Sequence, residues 1–416
     1  MMQNRINLSK ETQEKKGTRC HVCTGCGRCF DAKENLQIIT ECEVWENIIT
    51  NNQEEHRLVV ADIGTTTIAM LLYDVKGQVV DRFVQVNPQT QYGADVVSRI
   101  LAAECQEDAK QMQQMVRKTL EQGLEQFQQK LSEEEKLQMI IAANTTMVYL
   151  LMGWDPSELG KAPFQASHLS AVETEIVGVS TVILPGISAY VGGDIVAGMY
   201  AYDMWHREKP MLLIDLGTNG EMVLGNRERM LVTATAAGPA FEGGVNRGIW
   251  GADMVGLIAQ LLEKNIVDES GLLSDPYFEE GVRIGGVQIT QESIRAIQLA
   301  KGAIMAGIKV LTRKYGIDME ALDTVVLAGG FGYYLNPQQA SAIGLLPEAL
   351  LGKTIAGGNT ALAGATRLGA SISREKCSMN DLYEKDKCSV DLEIVNLAEE
   401  KGFEDMFFDS MQLKKQ

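Results

Sequence analysis

The sequence predicts an α/β protein of two similar lobes with a small Cys-rich module ahead of them. Three observations predict it. An apolar run that ends in Asp-x-Gly-Thr and resumes as a second apolar run occurs between Leu58 and Asp74 and again between Met211 and Leu224; such runs, broken by Gly and Thr, read as strand hairpins. The 416 residues exceed what one core serves, since single cores stop growing near ~250–300 residues. Five of the eight cysteines fall between positions 20 and 42, ahead of both hairpins. The expected division is 1–55 for the Cys-rich module and linker, 56–208 for the first lobe, and 209–416 for the second lobe with a closing strand and helix.

In order along the chain, Asn51–Glu55 reads as a polar linker. Leu58–Ala61 is an apolar run entering Asp62-Ile63-Gly64-Thr65-Thr66-Thr67, and Ile68–Asp74 continues as a strand before a Lys76-Gly77 turn. Helical patterns run from Val96 to Cys105 and over 106–138. Met139–Ala143 is predicted as a buried strand running into Asn144-Thr145-Thr146 and a helix to Met152. The second half starts over: Met211–Ile214 enters Asp215-Leu216-Gly217-Thr218-Asn219-Gly220, and Glu221–Leu224 continues to a Gly225-Asn226 turn. A helix over 291–313 precedes a third strand, Thr324–Leu327, which enters Ala328-Gly329-Gly330-Phe331-Gly332, read as a turn. A strand over 389–396 and an amphipathic helix over 403–412 close the chain.

Composition excludes several classes. Hydrophobic residues make up 45% and charged residues 22%, which rules out wholesale disorder. No stretch approaches ~18 uninterrupted apolar residues, so no membrane helix is expected. Met1–Arg19 is charged and has no apolar stretch, so a cytoplasmic chain without an export signal is expected. A formal charge of −17 opposes binding to nucleic acid backbone.

In a reducing compartment, disulfides explain clustered cysteines poorly. Cys20, Cys23, Cys26 and Cys29 form C-x2-C-x2-C-x2-C, and Cys42 follows. Ferredoxin loops run C-x2-C-x2-C-x3-C-P around a 4Fe–4S cluster; here the last gap is one residue shorter and Phe30 replaces proline. The run predicts an iron–sulfur cluster of the 4Fe–4S kind, with Cys29 and Cys42 both open as fourth ligand. Structural zinc is the alternative, although its Cys pairs are usually separated by a longer loop. Cys105 is expected as a buried small hydrophobe, and Cys377 and Cys388 as structural residues. His21 reads as a polar neighbour of the cluster. His168 and His206 have no partner visible in the sequence.

An aspartate at the end of a buried strand, followed by a Gly/Thr turn, suits phosphate and magnesium. Glycine admits close approach of backbone N–H groups to anionic oxygens, hydroxyls add donors, and the carboxylate faces a hydrated cation. One such turn is weak evidence, because Asp and Gly make ordinary turns. Two in corresponding positions, with Gly-Gly-x-Gly after a third strand, suit a clamped triphosphate with adenine over the third loop. P-loop and Rossmann readings fail, because neither signature follows a strand.

These three blocks resemble the phosphate 1, phosphate 2 and adenosine motifs of the acetate and sugar kinase, heat-shock chaperone and actin superfamily. That resemblance implies duplicated ribonuclease-H-like, actin-like lobes with ATP between them. A narrower resemblance, to ATP-dependent reductive activators of corrinoid proteins, rests on further blocks: Tyr92–Ile100, Asn144–Met147, Lys161–Phe164, Leu184–Gly186, Ala234–Gly243 and Gly358–Ala365. It covers roughly residues 57 to 412. At the N-terminus the chain departs from the better-known activators, which carry a plant-like 2Fe–2S module and a linker domain there.

The resemblance implies a function: an electron from the cluster returns inactive cobalt(II) to cobalt(I) in a corrinoid protein of a methyltransferase system, driven by ATP. It also implies roles. Asp62 and Asp215 hold Mg²⁺ or its waters. Gly64, Thr65, Thr66, Thr67, Gly217, Thr218, Asn219 and Gly220 contact phosphates, and Gly329, Gly330 and Phe331 line the adenosine side. Asn144 positions the attacking water, with Glu221 as the alternative; a helix N-cap is the plain reading of Asn144. A low-potential electron donor and a homodimer are expected. Competing functions are an activator of a 2-hydroxyacyl-CoA dehydratase or aryl-CoA reductase, a small-molecule kinase, and a zinc knuckle on an ATP-binding switch.

Overall fold

A computed structural model describes residues 56–413, apart from 133–134, 218, 239, 241–250, 285–286 and 376. Cys20, His21, Cys23, Cys26, Cys29, Cys42 and Thr218 therefore lie outside the described residues.

The first sheet opens with an antiparallel meander, β1 (His56–Ile63), β2 (Thr67–Tyr73) and β3 (Val79–Val86). Helices α1 (Val96–Ala102) and α2 (Gln106–Gln128) follow, then β4 (Lys136–Ala143), α3 (Thr145–Met152), β5 (Val172–Ile176), β6 (Val179–Ile183) and α4 (Gly193–Ala201). Strand order is β3-β2-β1-β4-β6-β5, with β4 parallel to both β1 and β6. On α2, Met112, Val116, Leu120, Leu124 and Phe127 recur every three to four positions, so one face covers the sheet.

The second sheet repeats the plan with β7 (Met211–Leu216), β8 (Gly220–Gly225) and β9 (Arg229–Thr235). After α5 (Gly251–Glu263) and α6 (Tyr277–Glu280), a small hairpin pairs β10 (Val282–Ile284) with β11 (Val287–Ile289). The long α7 (Gln291–Tyr315) starts at a Thr290–Ser293 capping box and stops at Gly316. Then come β12 (Thr324–Ala328), α8 (Gly329–Tyr334), α9 (Pro337–Ala342), β13 (Thr354–Gly358), α10 (Thr360–Glu375), α11 (Met379–Cys388), β14 (Asp391–Ile394) and α12 (Phe403–Met411). Strand order is β13-β12-β7-β8-β9-β14. The run β9-β8-β7-β12-β13 reproduces β3-β2-β1-β4-β6, which is the duplicated ribonuclease-H-like arrangement expected; β5 and β14 are additions at the edges.

Strand periodicity builds the layers. In β1, Val59, Ala61 and Ile63 face α2, while Leu58 and Val60 face the other side. In β7, Leu212, Ile214 and Leu216 face the core containing α5 and α7, while Met211 and Leu213 face back toward the first sheet. Between the sheets lie α4 and α10, and a single core joins Val60 and Ile140 of one sheet to Leu213, Val223 and Val326 of the other through Val196, Leu362 and Leu368. Each such fully buried aliphatic is worth roughly 1.5–3 kcal/mol, so displacing one sheet against the other means repacking this middle layer. The helices cross closely: a Cβ at Gly364 of α10 would overlap the carbonyl of Ala197 in α4.

Several expectations need correction. Helix α1 ends at Ala102, and Cys105 stands exposed just ahead of α2, not buried. The helix expected to 138 stops at Gln128, because Lys136 already opens β4. Gly329–Gly332 is not an open turn: Gly329, at φ +78°, takes the bend in one residue and the chain winds directly into α8. His168 does have a partner, stacking on Trp154 with centroids 4.1 Å apart, and the Nδ1 of His206 lies 2.8 Å from Asp203. Cys388 is exposed and Cys377 half-buried.

Candidate functional site

The parity that builds the layers also aims the acidic residues. Asp62 follows Leu58 and Val60 at two-residue spacing, and Asp215 follows Met211 and Leu213, so both face the middle layer. Their sheet positions correspond. Asp62 pairs with Ala69 of β2 and Ala142 of β4; Asp215 pairs with Glu221 of β8 and Ala328 of β12. Residues directly opposite in an antiparallel pair share a face, so Glu221 joins Asp215. Gly220 falls on the opposite parity: it is buried, and a Cβ there would run into Ile304 of α7.

A fourth carboxylate was not foreseen. Asp194 sits in the first turn of α4 and interacts with Asp62 from one side and Glu221 from the other. Burial and this shared negative charge hold the protons on. Asp62 is pushed up to about 7, mainly by burial, against the lowering effect of an Asn359 hydrogen bond and with Asp194 adding repulsion. Burial pushes Asp194 up to about 6. Burial, then Asp215 and Asp194, drive Glu221 well above the ordinary carboxylate range. All four keep partial exposure.

The first hairpin is braced from behind. Gly64 N–H donates to Thr67 O at 2.9 Å, and Asn87 donates through Nδ2 to Gly64 O at 2.8 Å and through its backbone N–H to Thr66 O at 2.9 Å. Arg99, fully buried, reaches Thr65 O through Nη2 at 2.6 Å and Gly93 O through Nε at 3.0 Å. With the carbonyls of 64–66 engaged, the turn is fixed. Asn144 N-caps α3, accepting from Met147 N–H at 3.0 Å, and donates to Thr65 Oγ1 at 3.1 Å. Thr67 opens β2.

In the second hairpin Gly217 N–H donates to Asn219 O at 2.9 Å, and the Asn219 side chain hydrogen-bonds Glu221. Across β12, Gly329 abuts Asp215: besides its positive φ, a Cβ there would lie 2.6 Å from Asp215 Oδ1. Gly330 is exposed with open space beside it. Phe331 instead packs into the core of the second lobe, leaving the surface of this segment to Gly329 and Gly330.

Sequence reasoning therefore brought Asp62, Asp215 and Glu221 to one place and missed Asp194, Asn359, Asn87 and Arg99. Gly192-Gly193-Asp194 and Gly357-Gly358-Asn359 do carry a signal, a polar residue after paired glycines at a helix start. Among the described residues no three His, Cys, Asp or Glu form a ready-made metal site. The carboxylates are hard oxygen donors, which fits a hydrated magnesium ion arriving with a nucleotide.

Comparison with known proteins gives the following. A family model described as the RACo middle region matches residues 58–207, and one described as the C-terminal domain of RACo, the ASKHA domain, matches residues 209–247 and 244–416. The chain is 30% identical over 391 residues to the corrinoid activation enzyme RamQ of Eubacterium limosum, covering 77% of this chain and 65% of that one. It is 25% identical over 271 residues to the [Co(II) methylated amine-specific corrinoid protein] reductase of Methanosarcina barkeri, covering 53% and 49%. A solved reductive activator for a corrinoid, iron–sulfur protein matches with a TM-score of 0.73 and 28% identity, over 87% of this chain and 66% of that chain. The chain thus spans less than two thirds of each of the two curated relatives.

Proposed function

The chain belongs to the RACo family, and from that premise we propose that it is an ATP-dependent reductive activator, returning the inactive cobalt(II) of a corrinoid protein to cobalt(I) for a methyltransferase system. The observation that carries this reading is the meeting of Asp62, Asp194, Asp215 and Glu221 beside two helices that share one core with both sheets.

MgATP is the substrate of that cleft. Asp62 and Asp215, with Asp194 beside them, hold the magnesium ion or its waters. Thr65, Thr66, Thr218 and Asn219 donate to phosphate oxygens, and Gly329 and Gly330 border the adenosine. Asn144 or Glu221 positions the attacking water. Catalysis here consists of positioning and charge stabilisation, since phosphoryl transfer asks for little else. Nucleotide that prefers one arrangement of the lobes shifts the population toward it, and a corrinoid partner that prefers the same arrangement is bound more tightly as a result. An iron–sulfur cluster of the 4Fe–4S kind, held by four of Cys20, Cys23, Cys26, Cys29 and Cys42, supplies the low-potential electron when bound. The protein works as a cytoplasmic homodimer whose cluster is recharged by a low-potential donor.

The test is an anaerobic assay that follows cobalt(I) absorption of a corrinoid protein in the presence of a low-potential donor. Formation of cobalt(I) that requires both the chain and MgATP is expected. Equal yields with and without MgATP overturn the reading.

A further inference from the structure

Asn359 sits between β13 and α10 and has two jobs at once. Its Oδ1 accepts from Leu362 N–H at 2.8 Å, capping the first turn of α10. Its Nδ2 donates to Asp62 Oδ2 at 2.8 Å, across 297 positions of chain. The cap fixes the amide's orientation: an oxygen engaged with a backbone N–H leaves only the NH₂ to face Asp62, so no flipped assignment satisfies both contacts. The donor comes from the lobe opposite to the one that carries Asp62.

Where the donor stands depends on α10. That helix lies against β1 and β4 of the first sheet and crosses α4 where Gly364 meets Ala197. A shift of α10 therefore carries Asn359 toward or away from Asp62, and the 2.8 Å contact survives only in an arrangement close to this one.

We propose that Asn359 is a positioning residue for ATP hydrolysis, holding the Asp62 carboxylate in its working orientation only when α10 is seated in this arrangement of the lobes. The inference rests on the cleft between Asp62 and Asp215 being the site of MgATP turnover. A partner that orients a carboxylate around a metal typically contributes on the order of 10–100-fold to activity.

Two variants separate the cap from the clamp, because Ser and Asp are both strong N-caps and neither reaches Asp62 with an N–H. In the full-length chain, Asn359→Ser is expected to keep the thermal midpoint and the KM for MgATP while kcat falls on the order of 10–100-fold. Asn359→Asp sets like charges against each other and is expected to fall further. A residue that only caps the helix predicts wild-type kcat in both, and that result overturns the proposal. A drop in thermal midpoint that accounts for the lost turnover also overturns it. The outcomes stay distinct from those of the activator reading: hydrolysis without cobalt(I) production by the wild-type chain sinks that reading and leaves this one standing, whereas an Asn359→Ser variant with wild-type kcat does the reverse.

Discussion

Thr65 presents its carbonyl oxygen to Nη2 of Arg99 at 2.6 Å, from a guanidinium with no exposed surface. A buried cation spent on backbone carbonyls is a costly way to hold a turn unless the turn's exact course matters. Arg99→Met keeps much of the volume and strands the Thr65 and Gly93 carbonyls. Unsatisfied buried groups of this kind cost about 1–3 kcal/mol each, so a loss of about 2–6 kcal/mol in urea unfolding is expected. The KM for ATP should rise with it. An unchanged KM would separate the brace from nucleotide binding.

Asp62→Ala and Asp215→Ala are each expected to abolish MgATP turnover. Either change removes a carboxylate from the group that faces the middle layer, and with it electrostatic stabilisation of the transferring phosphoryl group. The visible spectrum of the N-terminal module should be untouched, which controls for global damage. Near wild-type turnover in either variant would mean that the two hairpins do not act on the same substrate.

Acid titration gives a third expectation. Asp62 at about 7 and Asp194 at about 6 retain protons that the unfolded chain has already released. The native state binds more protons over that interval, so stability falls as pH rises toward about 7. Asp194→Asn should therefore raise the thermal midpoint of nucleotide-free protein above pH 7 and change little in acid. Magnesium competes with these protons, so its stabilising effect should be larger above Asp62's value of about 7 than below Asp194's of about 6. A magnesium effect independent of pH would contradict the charge-cluster account.

How much of this was legible in the sequence follows from the range over which each signal acts. The hairpins at Asp62 and Asp215 and the strand into Asn144 were readable, because strand period and turn chemistry are local. So was the repeat, since two copies of a local pattern need no tertiary knowledge. The burial of Gly220 against Ile304 was not readable, because α7 lies far along the chain from it. Asp194 and Asn359 carry only a faint local signal, a polar residue after paired glycines, because each gains its role only when α4 and α10 bring it to a carboxylate on another element. Cys105 was misjudged because a helix boundary, not a helix face, sets its exposure.

For the N-terminal cysteines the expectation is iron with acid-labile sulfide. Anaerobically purified protein should show broad visible absorption that bleaches with dithionite, and changing both Cys23 and Cys26 to Ser should remove it. The basis is the C-x2-C-x2-C-x2-C run, whose tight spacing suits a cluster better than two separated zinc-binding pairs. Colourless protein holding stoichiometric zinc after iron–sulfide reconstitution would exclude a redox role.

The remaining prediction concerns coupling. If nucleotide and corrinoid partner prefer the same arrangement of the lobes, linkage requires each to tighten the other's binding by the same factor. A non-hydrolysable ATP analogue should tighten partner binding, and the partner should tighten binding of the analogue, with equal ratios by calorimetry. Deleting residues 1–50 should leave basal ATPase largely in place, because β1 begins at His56 and the first carboxylate of the cleft is Asp62. The same deletion removes Cys20, Cys23, Cys26, Cys29 and Cys42 and should eliminate cobalt(I) formation. Cobalt(I) produced by the truncated chain at the full-length rate would show that the electron does not pass through this module. A coupling ratio of one would show that nucleotide and partner do not share a preference for one lobe arrangement.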